Sequence, residues 1–239
     1  MKAAVTTIRA PHDAGPNATA ALVLAELRHR FTDVPVSYVE VPADADPSGP
    51  GAWEDAAPGT FHVVGAHLHG AGDHSRCPVL VHGPGPAPAG RAVVAAVDDD
   101  SCPGSVVAYA AAEARRRGSA LRAVYAWAEA GAAVTGGYRL SRHDRMSDAD
   151  RLLTSILYDH LPADAADLVE RQIVHDPDPA HALLTLSQDT SLLVVASGSH
   201  CAGTGEALGH IPRALLGRTA CPLAVLPTGG PAAPYPDVG

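Results

Sequence analysis

Residues 91–127 read RAVVAAVDDDSCPGSVVAYAAAEARRRGSALRAVYAW, and this stretch decides the fold class. The apolar run 91–97 is typical of a buried parallel strand, and three aspartates follow its carboxyl end. Apolar residues at helical spacing predict a helix over 103–117, with proline at its start and Gly118 just past a basic last turn. A second apolar run, 120–127, completes a βαβ unit, whose crossover should be right-handed.

The remaining chain after residue 127 continues the same alternation of helices and strands. We predict helices at 147–161, 179–188 and 211–216, strands at 168–175, 191–196 and 221–227, and loops at 128–145 and 198–209. Five strands with intervening helices indicate an α/β fold with a doubly wound, mainly parallel five-stranded sheet.

The first 90 residues look like a shortened copy of this arrangement. Strands are predicted at 3–8, 36–41, 61–66 and 77–81, and a helix at 17–31. FHVVGA at 61–66 is similar to SLLVVA at 191–196, and CPVLV at 77–81 is similar to CPLAV at 221–225. We therefore predict a truncated α/β repeat at 1–88, a complete domain at 89–230 and a flexible tail at 231–239. The Gly- and Pro-rich stretch 83–90 is the predicted linker.

Composition excludes several functional classes. The 239 residues carry a net charge of −9, which argues against a nucleic-acid binder because no excess of cations replaces phosphate counterions. Lys2 is the only lysine, so a P-loop, a Schiff-base lysine, a kinase lysine and a receiver-domain lysine are all excluded.

Targeting signals and cysteine usage bear on the compartment. The first ten residues lack the apolar core of a secretory signal, and no stretch reaches about 18 uninterrupted apolar residues. The four cysteines form no CxxC pair, and Cys77 and Cys221 each precede a proline and an apolar run, as buried structural residues do. We expect a reducing cytoplasm and no membrane partner.

Four pieces of sequence resemble the universal stress protein family. They are a first strand ending in Val97-Asp98, Gly198-Ser199-His200 after a later strand, Gly209 opening a helix with RALL at 213–216, and the CPLAV run at 221–225. In the family this region carries the glycine pattern G-x2-G-x9-G-(S/T), a helix and CPVLVV. The resemblance covers 91–228 in element order and 1–82 in truncated form.

The resemblance implies a sheet that dimerises through its last strand. In some family members ATP or AMP is held between the first and fourth strands, and Mg²⁺ accompanies ATP. The resemblance places Asp98 near adenine and Val124 near the base or ribose. Near the ribose and phosphates it places Gly198, His200, Gly209 and His210. The implied site residues are Val97, Asp98, Val124, Gly198, Ser199, His200, Gly209, His210 and Ile211. Glycines also let a backbone approach phosphate, and Gly209–Ile211 lies where a helix N-terminus would offer N–H donors.

The glycine loop departs from the family pattern at several positions. Gly198 and Gly209 are eleven residues apart where the family has thirteen, and Cys201 occupies the second glycine position. His210 replaces the Ser or Thr after the last glycine, and Pro212 removes both a hydroxyl and an amide donor. The second repeat is therefore predicted to hold a degenerate adenine-nucleotide site, and the loop of the first repeat is too short for one.

The polar residues also allow other interpretations. The aspartates at 98–100 suit Mg²⁺ or a helix cap, and His62, His67, His69 and His74 suit zinc or a solvated loop. Cys102 and Cys201 suit a redox sensor or inert thiols.

Together, the residues and the resemblance predict a stress-response binding protein without catalytic residues or a metal. One chain forms a pseudo-dimer through an edge shared by 78–81 and 222–226, with a further homodimer left open. The alternative is a protein-interaction scaffold that binds no nucleotide. A slow ATPase and a thiol redox sensor rank below it.

Overall fold

The computed structural model describes residues 8–9, 18–42, 59–67, 78–83, 92–98, 103–127, 146–198 and 207–228. None of the helices in this part of the chain is long and apolar enough to cross a membrane. The elements are β1 (Ile8–Arg9), α1 (Ala18–Arg30), β2 (Val36–Pro42), β3 (Phe61–His67), β4 (Val79–His82), β5 (Ala92–Val97), α2 (Pro103–Arg117), β6 (Ala120–Trp127), α3 (Met146–His160), α4 (Ala163–Ala166), β7 (Glu170–His175), α5 (Pro179–Leu186), β8 (Thr190–Ala196), α6 (His210–Leu215) and β9 (Leu223–Leu226).

The strands of the second half form the predicted parallel arrangement. β9, β8, β5, β6 and β7 are neighbours in that order, and all four pairings are parallel. β5 is central and buried because both of its faces are covered, which explains its uninterrupted apolar sequence. The α/β class and the mainly parallel five-strand unit are confirmed, and the predicted boundaries differ by a few residues at most.

The strands of the first half extend the same sheet. The complete order is β1-β2-β3-β4-β9-β8-β5-β6-β7, so the described strands form one sheet of nine. β4 and β9 join the two halves in an antiparallel pair, with Leu80 opposite Ala224. The pairing expected between 78–81 and 222–226 is therefore present.

β4 runs in a different direction from its sequence counterpart in the second half. β3 pairs antiparallel with β4, whereas β8 pairs parallel with β9, although the two strand pairs have similar sequences. Only residues 68–78 connect β3 to β4, and a parallel crossover needs a dozen or more residues. β4 is the one reversed strand among the nine, so the halves of this sheet are not related by a two-fold axis.

Helices cover both faces of the sheet. α2 and α3 pack on one face, in a buried cluster that contains Val97, Tyr125 and Leu80. α1, α5 and α6 pack on the other face, in a cluster that contains Val124, Leu215 and Val79. Because each cluster holds residues of both β4 and the β5–β9 strands, the first and second halves share one continuous core.

Gly217 lies where the first half meets the turn after α6. Its φ is +70°, and a Cβ there would lie 2.5 Å from the Phe31 ring. Gly118, which ends α2 at φ +60°, would meet nothing within 4 Å and is a matched control. We expect Gly118→Ala to lower the free energy of unfolding by about 1 kcal/mol and Gly217→Ala by about 3 kcal/mol, because the latter adds overpacking to the backbone strain.

Urea denaturation of both variants measures this difference. Equal losses for Gly217→Ala and Gly118→Ala would show that Phe31 does not press on the turn, and that the first half is loosely attached there.

Candidate functional site

The order of the strands defines a crevice at the carboxyl edge of the sheet. The chain runs from β5 to β6 and β7 on one side, then returns to β8 and β9 on the other side of β5. Open α/β sheets bind ligands outside the carboxyl ends of the strands at such a reversal. The neighbouring ends of β5 and β8 therefore form the candidate site, as the sequence predicted for the first and fourth strands of the second half.

The β5 side of the crevice carries Asp98. Asp98 is half-buried and directly follows Val97, the last residue of β5. Val97 lies in the cluster under α2 and α3, whereas Val124 lies in the cluster under α1, α5 and α6. Val124 pairs with Ala96, and side chains alternate along a strand, so Asp98 falls on the face of Val124. Of the two predicted valines, only Val124 shares a face with the carboxylate.

The β8 side of the crevice carries two glycines in close approach. The Gly209 N–H donates to the Ser197 carbonyl oxygen at 2.7 Å. A Cβ on Gly209 would lie 3.1 Å from the Gly198 Cα and 3.4 Å from the Ser197 oxygen. The close approach of this backbone explains why residue 209 is glycine. The same hydrogen bond occupies the Gly209 amide that the sequence assigned to phosphate.

The predicted phosphate-facing helix is short. α6 has six residues, beginning at His210, one residue earlier than predicted, and its N-cap Gly209 provides no side-chain cap. His210 and Ile211 are half-buried at its start, and Pro212 is buried without an N–H to donate. Six residues sum to a weak dipole, so this helix end adds little electrostatic attraction for an anion.

Two hydroxyl groups that sequence reasoning missed also lie at this edge. The Thr228 N–H donates to Ser197 Oγ at 3.0 Å, and the two hydroxyl oxygens are 3.4 Å apart. Thr228 Oγ1 lies 3.1 Å from the position of a Cβ on Gly198. β8 and β9 are adjacent parallel strands that end at one edge, which is the signal that would have brought these distant residues together.

A family comparison agrees with this geometry. The model of the universal stress protein family matches residues 90–227, which is more than half of the chain and includes Asp98, Gly198 and Gly209. The chain belongs to this family. The match concerns the predicted second repeat of this universal stress protein, and the tandem arrangement stays a prediction.

Several solved universal stress proteins are similar to this chain at low sequence identity. One from Archaeoglobus fulgidus is 19% identical, with 56% of this chain and 92% of that chain covered and a TM-score of 0.40. A universal stress protein solved in complex with cAMP is 20% identical, with 58% and 97% covered and a TM-score of 0.41. Another, from Archaeoglobus fulgidus DSM 4304, is 15% identical, with 87% and 65% covered and a TM-score of 0.40. No curated protein sequence matches this universal stress protein.

Several predicted residues of this universal stress protein fall outside the described part. Ser199 and His200 lie there, as do Cys102 and Cys201 of the redox hypothesis. Cys221 is described and is 2% exposed, and burial raises the pKa of its thiol to about 12. A thiol held protonated in this way is inert, as the sequence predicted for this position.

The hypothesis of a zinc site at four histidines of the first half can be examined only at His62, whose side chain is described. Within the described residues, no group of three or more His, Cys, Asp or Glu side chains is arranged to hold a metal ion. His62 is instead 2.7 Å, through Nδ1, from Ser37 Oγ, and its strand partner in β3–β4 is His82. His69 and His74, along with the side chain of His67, are outside the described part.

Proposed function

We propose that this universal stress protein binds an adenine nucleotide, ATP or AMP, in the crevice between the ends of β5 and β8, with Mg²⁺ when the ligand is ATP. The supporting observation is the reversal of the strand order between β5 and β8, which brings Asp98 and the Gly198–Gly209 contact to one edge of the sheet. Binding without turnover is the proposed role in the stress response.

The two sides of the crevice offer different chemistry to a nucleotide. The Asp98 carboxylate accepts hydrogen bonds, so it suits the exocyclic amine of adenine or the hydroxyls of ribose. The glycine side presents bare backbone, which a phosphate can approach without meeting side chains. We therefore orient the nucleoside toward β5 and the phosphates toward β8.

The same geometry makes the phosphate end weak. The Gly209 N–H is already bonded to Ser197, Pro212 has no N–H, and α6 is six residues long. Among the described residues of this edge, few donors remain for a β- or γ-phosphate, so we expect AMP and ATP to bind with similar affinities and hydrolysis to be undetectable. These observations also favour a second candidate, a protein-interaction scaffold in which the crevice holds no nucleotide.

Analysis of the purified protein separates the two candidates. Mass spectrometry identifies any nucleotide released by heat, and calorimetric titration of the stripped protein measures the affinities for AMP and ATP. About one adenine nucleotide per chain, or saturable heat of binding, supports the nucleotide proposal. No nucleotide and no heat at millimolar ATP leaves the scaffold as the function.

A glycine pair tests the location of the site. We expect Gly209→Ala to weaken nucleotide binding at least about tenfold, because its Cβ would push against the backbone of Gly198 and shift the loop. Gly83→Ala is the control, since a Cβ there meets nothing within 4 Å. Calorimetry on both variants decides the matter, and equal affinities would place the nucleotide elsewhere.

A further inference from the structure

The hydroxyl group of Thr228 lies beside the glycine contact. Thr228 is half-buried two residues past β9, and its Oγ1 lies 3.1 Å from where a Cβ of Gly198 would be. A threonine hydroxyl is a donor and an acceptor, and the hydroxyl expected after the last glycine is absent because that residue is His210. The fold thus places a hydroxyl from another strand next to Gly198, at the start of the glycine loop.

The hydrogen bonds around Ser197 indicate where the Thr228 hydroxyl proton points. Ser197 is 8% exposed, and its Oγ accepts from the Thr228 N–H. The one acceptor for the Ser197 proton in the described part of the chain is Thr228 Oγ1, at 3.4 Å. If the Thr228 hydroxyl donated to Ser197 instead, the buried Ser197 hydroxyl proton would have no acceptor. Leaving a buried donor without an acceptor costs more free energy than leaving a half-buried one without an acceptor. Ser197 therefore donates, and the Thr228 proton is directed to a group outside this pair.

We propose that Thr228 is a ligand-binding residue of this site, with its hydroxyl donating to the phosphate nearest the ribose and Ser197 acting as its positioning residue. This inference rests on the proposed nucleotide function. A neutral hydroxyl that donates to a charged phosphate oxygen makes a stronger hydrogen bond than one to a neutral acceptor. Thr228 then compensates for the Gly209 amide, which is held by the Ser197 carbonyl.

Calorimetry with AMP and with adenosine tests this role, because adenosine has no phosphate. We expect Thr228→Val, which keeps the shape and removes the hydroxyl, to weaken AMP binding about tenfold and leave adenosine binding unchanged. Thr228→Ser should restore most of the AMP affinity. Thr185→Val is the matched control, since Thr185 is exposed on α5 and donates within its own helix.

Each outcome bears on a different claim. AMP affinity that is unchanged in Thr228→Val, or an equal loss for AMP and adenosine, overturns the role of Thr228 and leaves the nucleotide proposal in place. Wild-type protein that binds neither ligand overturns both. Thermal denaturation shows whether each variant is folded, and the comparison of Thr228→Ser with Thr228→Ala decides the question if valine prevents folding.

Discussion

Replacing Leu80 with aspartate is expected to lower the free energy of unfolding by about 4 kcal/mol or more and to make the protein self-associate. Leu80 is 1% exposed at the centre of β4, where it pairs with Ala224 and lies in the core under α2 and α3. The substitution removes a large buried side chain and places an unpaired carboxylate in its position. Urea denaturation measures the first effect.

Self-association follows from what β4 covers. β4 pairs with β9 through three residue pairs and so occupies the edge that would otherwise end the β5–β9 sheet. We propose that the first half is a built-in partner for this edge, in place of a second chain. Loosening β4 would expose the unpaired backbone groups of β9, which are a template for another copy. Light scattering coupled to gel filtration measures the mass of the variant.

The control for this prediction is Leu168→Asp. Leu168 is 85% exposed, so the same chemical change should alter neither stability nor mass. A Leu80→Asp protein with the same mass and the same stability as Leu168→Asp would contradict the covering role of β4.

Local sequence predicted most elements of this fold because apolar runs and helix-end residues act over short distances. α2 is an example, since Pro103 and Gly118 bound it as predicted, and the turn is closed by Ser119 N–H bonding to the Ala114 carbonyl at 2.9 Å. The direction of β4 was not predicted, because similarity between strands says nothing of the connection that joins them. Residues 68–78 are too few for a helical crossover, and counting them would have indicated the antiparallel pairing.

Some residues of the candidate site were predicted from the sequence, and others were not. The resemblance to the family implied Asp98, Gly198 and Gly209 as site residues, and the topology brings these three residues to one edge. The Ser197–Thr228 pair was missed because it depends on the register between β8 and β9. The bond from Gly209 to Ser197 was also missed, since sequence does not show which amide is already used.

Acidification is expected to destabilise this protein through His82. The pKa of His82 is lowered to about 4, mainly by burial and to a smaller extent by positive charge on the neighbouring His62 and Arg117. His62 is its strand partner, and Arg117 extends from the end of α2, where it bonds to the Ser191 carbonyl at 3.4 Å. Burial also lowers the pKa of His62. The folded state thus holds His82 neutral at neutral pH.

The sign of the pH dependence follows from linkage. An unfolded histidine has a pKa near 6.5. Between about pH 6.5 and 4, residue 82 is therefore protonated in the unfolded state and neutral in the folded state. The contribution of neutral His82 is present above pH 6.5 and is lost as the pH falls toward 4. The loss from pH 7 to pH 5 is about 2 kcal/mol for this residue, with His62 adding in the same direction.

His82→Phe separates this contribution from other effects of acid. Urea denaturation at pH 7 and pH 5 should show a fall in the free energy of unfolding that is about 2 kcal/mol smaller in the variant than in the wild type. His29→Gln, on the exposed side of α1, controls for loss of an imidazole. If wild type and His82→Phe lose the same stability, the His82 ring is solvated in the folded state.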